Sequence, residues 1–144
     1  MFKRILVAYD GSRGAEAALE KGIELARLCG AELQVLTVFR HYSMLEASFS
    51  MVRPDEPEQI DDAMRDYARD VADHAKASAA EQGISIRAFV KNGQPARSIV
   101  AFAEEHGADL IVVGSRGLGS LESYLVGSVS HKVTGLATCP VLVV

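Results

Sequence analysis

The stretch from Leu110 to Ser130, LIVVGSRGLGSLESYLVGSVS, constrains this chain more than any other. It opens with four apolar residues, Leu110-Ile111-Val112-Val113, enough for one buried strand. Gly114 ends the run, Gly117 and Gly119 punctuate a loop, and Gly127-Ser128-Val129-Ser130 opens what reads as a helix. A strand, a glycine-rich loop and a helix start together make an anion site. Glycine lets backbone approach an anion closely. Free N–H groups and the dipole at a helix start favour negative charge, and Ser128 and Ser130 add hydroxyls beside those amides. The spacing is not that of a Walker loop, which needs Gly-Lys-Ser/Thr. It is not a dinucleotide fingerprint either. The first β-α turn, Asp10-Gly11-Ser12-Arg13-Gly14, lacks that pattern, and the second strand ends in Phe39-Arg40 with no acid after it. A cradle after the fourth strand fits a mononucleotide.

The rest of the chain supplies the frame. Lys3 to Tyr9 reads as a central strand. Ser12 suits an N-cap, the stripe Ala15, Ala18, Leu19, Gly22, Ile23 and Ala26 marks a helix, and Gly30 closes it. Leu33 to Phe39 is a second strand. Arg40 to Pro57, with two prolines and no clean period, reads as a long loop of the length lids have. It also carries Tyr42, Met44, Leu45, Phe49, Met51 and Val52. Glu58 to Gln82 predicts a long helix with Ile60, Met64, Tyr67, Val71 and Ala75 on its apolar face. Ile84 to Lys91 is a third strand, and Pro95 opens a helix that Gly107 closes. The last helix spans about Gly127 to Ala137, buried through Val129, Val133 and Leu136, and Val141 to Val144 is a final strand. The alternation predicts an α/β fold, a doubly wound five-stranded parallel sheet of Rossmann-like type with order 3-2-1-4-5. Its switch point lies between strands 1 and 4, which brings Asp10 and Gly114 to one cleft.

The spacing Gly114, Gly117, Gly127, Ser128 resembles the ATP-binding motif of the universal stress protein family. Ile5-Leu6-Val7-Ala8-Tyr9-Asp10-Gly11-Ser12 and the terminal Cys139-Pro140-Val141-Leu142-Val143-Val144 match as well, so the resemblance covers residues 1–144 as one domain. It implies the same strand order, a fold of the adenine nucleotide alpha hydrolase-like kind, ATP as ligand, and two-fold pairing of terminal strands 141–144. Ala8, Val38 and Val113 match positions that line the adenine and sugar pocket in that family, and they also suit ordinary strand core. Val129 and Ser130 follow its pattern of backbone or hydroxyl contact. Asp10 reads as a partner of a ribose hydroxyl or, through water, of Mg²⁺ on the phosphates. The alternative for Asp10 is a carboxylate that caps the next helix together with Ser12. Arg116 reads equally as a phosphate contact and as a solvated loop residue. Gly119 reads also as a plain turn residue, and Asp109, at the opposite end of its strand, as structural.

Phosphoryl transfer needs charge stabilisation and an oriented nucleophile. The chain offers no Walker lysine and no evident base, so the first expectation is an ATP-binding regulatory protein of the stress response with little or no hydrolysis. The alternatives are a slow ATPase or nucleotide-transferring enzyme on the same fold, and an interaction module with a structural ATP. A protein partner regulated through the bound nucleotide is consistent with the first reading. The net charge of −4, from 19 acidic and 15 basic residues, and the absence of any Lys/Arg run argue against a nucleic-acid partner. His41, His74, His106 and His131 fall on four separate elements without metal-ligand spacing. Cys29 and Cys139 read as buried, reduced thiols of a cytoplasmic protein. The chain enters its first strand directly, which reads as no signal peptide, and no apolar run nears the roughly 20 residues a membrane helix needs.

Overall fold

The computed structural model describes residues 1–40, 57–115 and 127–144. Its elements are β1 (Arg4–Ala8), α1 (Arg13–Cys29), β2 (Glu32–Phe39), α2 (Pro57–Glu81), β3 (Arg87–Asn92), α3 (Pro95–His106), β4 (Leu110–Val113), α4 (Ser128–Leu136) and β5 (Val141–Val143). The strands form one parallel sheet in the order β3-β2-β1-β4-β5, as the alternation predicts. Residues 41–56 of the expected loop lie outside the described residues, as do Arg116, Gly117 and Gly119.

Register decides which side chain meets which helix. Ile5 stands between Leu33 and Leu110, and Val7 between Val35 and Val112. These side chains share a face and pack under α1 and α2 with Ala15, Ala18, Leu19, Ile23, Ala75 and Ala79. The alternate residues Leu6, Leu36, Ile111 and Val113 point the other way and pack under α3 and α4 with Ile99, Phe102, Ala103 and Val133. Both faces of β4 are therefore covered, which is why Leu110 to Val113 is apolar without alternation.

The helix ends are set locally. Ser12 accepts the Ala15 N–H at 3.1 Å to start α1, and Gly30, at φ 66°, ends it. Gln94 accepts the Arg97 N–H at 2.9 Å, and Pro95 occupies the first turn of α3. The buried stripe of α2 differs from the expected one. Ala68, Ala72, Ala75 and Ala79 are the buried positions, and Tyr67 is 63% exposed. The alanines keep the 3.6-residue period and let the helix lie close to the sheet, so the bulky Tyr67 falls outside the stripe. Leu136 is likewise 48% exposed, while Val133 is fully buried and Val129 partly so. Cys29 and Cys139 are free thiols, and both are partly exposed rather than buried. Burial still pushes the Cys139 thiol up, with the charges of Asp109 and Glu104 acting in the same sense.

Candidate functional site

The sheet topology brings the ends of β1 and β4 side by side. Beyond β1, the Tyr9 N–H donates to the Leu36 carbonyl at 2.9 Å, extending the ladder by one residue. Asp10 then turns the chain: its Oδ1 accepts the Ser12 N–H at 2.9 Å across Gly11, which sits at φ 83°. Ser12 in turn caps α1. Asp10 thus fixes the turn that places the Ser12 cap, at the carboxyl end of β1 beside the exit of β4.

On the other side Val113 is buried at 2% exposure, and Gly114 follows. A Cβ on Gly114 would lie 2.5 Å from the Gly14 carbonyl carbon, so the β4 exit touches the first turn of α1. Ser115 is a hub of backbone bonds. Its N–H donates to the Val144 carbonyl at 2.8 Å, and its carbonyl accepts the Gly127 N–H. Residues 115 and 127 thus meet, and α4 starts at the β4 exit. Gly127 caps α4 at φ −64°, ψ 158°, a conformation open to any residue, and among the described residues no side chain caps this helix. The first helical bond runs from the His131 N–H to the Gly127 carbonyl at 2.9 Å. The amides of Ser128, Val129 and Ser130 precede it and form the donor-rich end of α4.

The serines at this end differ. Ser128 is exposed, whereas Ser130 is 3% exposed. The Ser130 hydroxyl lies 3.0 Å from the Gly127 carbonyl and 3.3 Å from the Ser115 carbonyl, so its proton is directed to backbone. Ala8, Val38, Val113 and Val129 all belong to the α3/α4 side of the sheet and form one apolar wall beside this end. Asp10, Gly114, Gly127 and Ser128 border the same carboxyl rim. Of the residues expected at the site, Arg116 and Gly117 lie outside the described residues.

Three features escaped the sequence reading. Gly14 abuts Gly114; its signal was a glycine in the first turn of a helix, where alanine would be favoured by roughly 1 kcal/mol. Ser115 carried no signal, because its bonds are all backbone. Tyr9 is 2% exposed, and its hydroxyl donates to Glu16, whose Oε1 also lies 3.3 Å from His74 Nε2. Burial pushes the Tyr9 phenol upward, reinforced by the Glu16 hydrogen bond and by the charges of Glu16 and Asp10.

Comparison with known proteins adds chemistry to this geometry. The model of the universal stress protein family matches residues 1–144. The universal stress protein YxiE of Bacillus subtilis is 40% identical over 147 residues, spanning 100% of this chain and 99% of that protein. Among solved structures, that of the hypothetical protein MJ0577 superposes with a TM-score of 0.83 at 28% identity, over 100% of this chain and 96% of its own. The universal stress protein of Archaeoglobus fulgidus, solved in complex with dAMP, reaches 0.70 at 26% identity, over 98% and 96%.

Proposed function

Because this chain belongs to the universal stress protein family, we propose that it is an ATP-binding regulatory protein of the stress response that hydrolyses its nucleotide slowly or not at all. The observation that carries this reading is the start of α4: a helix end with no side-chain cap among the described residues, beside the carboxyl ends of β1 and β4. Phosphates would lie against the amides of Ser128 and Val129 and the Ser128 hydroxyl. The sugar would face Asp10, and the base would rest on Ala8, Val38 and Val113. A relative solved in complex with dAMP supports an adenine nucleotide as the ligand. Arg116 and Gly117 would complete the cradle from the loop between.

Magnesium fits this arrangement as a companion of the phosphates. Among the described residues no three His, Cys, Asp or Glu side chains gather to hold a metal, so the ion would take most of its oxygens from ATP and water and one contact from Asp10. When bound, the ion would neutralise phosphate charge. The protein groups would bind and orient.

The protein would work in the cytoplasm as a homodimer, through β5 and Val144, possessing one domain over residues 1–144. Val141 to Val144 is an apolar edge, and its residues are only half buried. No helix among the described residues is long and apolar enough to cross a membrane.

Mass spectrometry of the purified, denatured protein tests the ligand, with co-purified ATP as the expected result and calorimetric titration as the quantitative check. Absence of both retained nucleotide and binding heat would overturn the proposal. A turnover near the typical enzyme median of about 10 s⁻¹ would move it to the ATPase alternative. Light scattering tests the dimer, which deletion of residues 141–144 should dissolve.

A further inference from the structure

Gly114 belongs to the glycine-rich motif, yet what closes around it is protein. A Cβ there would lie 2.5 Å from the Gly14 carbonyl carbon, 2.6 Å from its oxygen and 2.9 Å from its Cα. These distances are inside contact, and the obstacle is main chain, which cannot swing aside as a side-chain tip can. Helix α1 has little room to withdraw. At Gly22 a Cβ would meet Val7 Cγ2 at 2.6 Å, and Ala15, Ala18 and Ala26 are all buried, so small residues hold α1 low on the sheet along its length. The first turn of α1 is also tied to the end of β1, through the Ser12 N–H on Asp10 and the Ala15 N–H on Ser12. On the other side Gly114 leads directly to Ser115, whose carbonyl accepts the Gly127 N–H at the start of α4.

We infer that Gly114 is a positioning residue, and that its contact with Gly14 sets the spacing between the Asp10 turn and the start of α4. The inference rests on the nucleotide site proposed above. A ligand that spans the cleft, with its sugar at Asp10 and its phosphates at α4, is sensitive to that spacing. A ligand that touches one side is not. Engaging both sides at once brings an effective-concentration gain that a displaced anchor forfeits.

Gly114→Ala tests this, with ATP titrated by calorimetry and its two halves, adenosine and tripolyphosphate, titrated by NMR. ATP should bind at least tenfold more weakly, while each half alone changes less than twofold. Unchanged ATP affinity, or equal losses for ATP and the halves, overturns the inference. A wild type that binds none of the three sinks the nucleotide reading instead. The amide spectrum of Gly114→Ala still decides the packing link in that case: Ser12 and Ala15 must shift, and unmoved resonances overturn it. Should the variant not fold, the wild type carries the test. Tripolyphosphate alone must then shift the Ser12 and Ala15 amides across the contact, and silence there overturns the inference.

Discussion

The two rims of the sheet are built on opposite terms. At the amino rim, charged side chains are spent on the protein itself. Asp109 accepts the Lys3 N–H at 2.8 Å and the Arg4 N–H at 3.1 Å, fastening the start of β4 to that of β1. The Arg4 guanidinium pairs with Glu32 at 3.0 Å and donates to the His106 carbonyl at the end of α3, and Arg87 approaches Glu32 at 4.0 Å. At the carboxyl rim the fastening around β4 is mostly backbone: Ser115 to Val144, Gly127 to Ser115, and Gly114 against Gly14, with the Asp10 carboxylate on the Ser12 N–H beside it. Ser128, at the start of α4, is exposed there. The side-chain fastenings and the proposed ligand side are thus separated by the length of the strands, and a parallel sheet makes that separation natural, because its helix N-termini all follow carboxyl ends of strands.

The comparison is broken most severely at the amino rim. Asp109→Ala should destabilise the fold by about 2 kcal/mol, because two backbone N–H groups lose their acceptor, and a two-state urea titration reads that loss directly. ATP affinity should stay within twofold. A variant with normal stability and weakened binding would show that the rims are not separate. The same carboxyl carries a pH signature. Burial acts to raise its pKa, but the backbone hydrogen bonds from Lys3 and Arg4 and the Lys3 charge outweigh that and hold it below the ordinary carboxylate value. A depressed value means stability that is present above the unfolded pKa and lost as pH falls through the folded one. The stability gap between wild type and Asp109→Ala should therefore shrink below about pH 4.

At the carboxyl rim the converse is expected. Gly127→Val should cost little backbone strain, since φ −64° and ψ 158° suit any residue, and its stability loss should be the N-cap preference of about 0.5–1 kcal/mol. Its side chain would crowd the approach to α4 and weaken ATP at least tenfold, about 1.4 kcal/mol by calorimetry. A larger stability loss with intact binding would place Gly127 among the packing residues, with Gly114.

This contrast marks what was legible in the sequence. Alternation pointed to a parallel doubly wound sheet, and with the family resemblance to its order β3-β2-β1-β4-β5, which the structure has. The different jobs of Gly114, Gly127 and Ser130 were not legible. Gly114 is set by the backbone of Gly14, which is remote in sequence, and the Ser130 hydroxyl is shared between the Gly127 carbonyl and the remote Ser115 carbonyl. Asp109 could be read as structural, because a carboxylate at the start of a strand stands away from the cleft. In α2 the reading favoured Tyr67 over Ala68 and Ala72. Bulk dominates a hydrophobic pattern on paper, whereas closeness to the sheet selects small residues. Leu136 shows the same limit: it is the last residue of α4 and is 48% exposed.

The smallest expected effect sharpens the comparison within the carboxyl rim. Tyr9 lies beneath that rim on the α1/α2 side, away from the apolar wall of Ala8 and Val38, and donates to Glu16. Tyr9→Phe should keep the packing and remove one hydrogen bond. Glu16 is partly exposed and can turn to water or to His74, so the loss at neutral pH should be about 0.5–1 kcal/mol. The pH dependence reports the buried hydroxyl, through its burial first and the Glu16 bond second. The folded phenol is raised above its ordinary value of 10, so its contribution is fully present below pH 10 and is lost as pH rises beyond it. Urea unfolding at pH 8, 9, 10 and 11 should find wild type losing its advantage over Tyr9→Phe only in the last step. ATP affinity at neutral pH should not change in the variant. Parallel stability curves across that range would mean that the hydroxyl is solvated rather than bonded. Weakened ATP binding would mean instead that the Tyr9–Glu16–His74 chain reaches the Asp10 turn, and that the ligand side of the rim extends beneath the sheet.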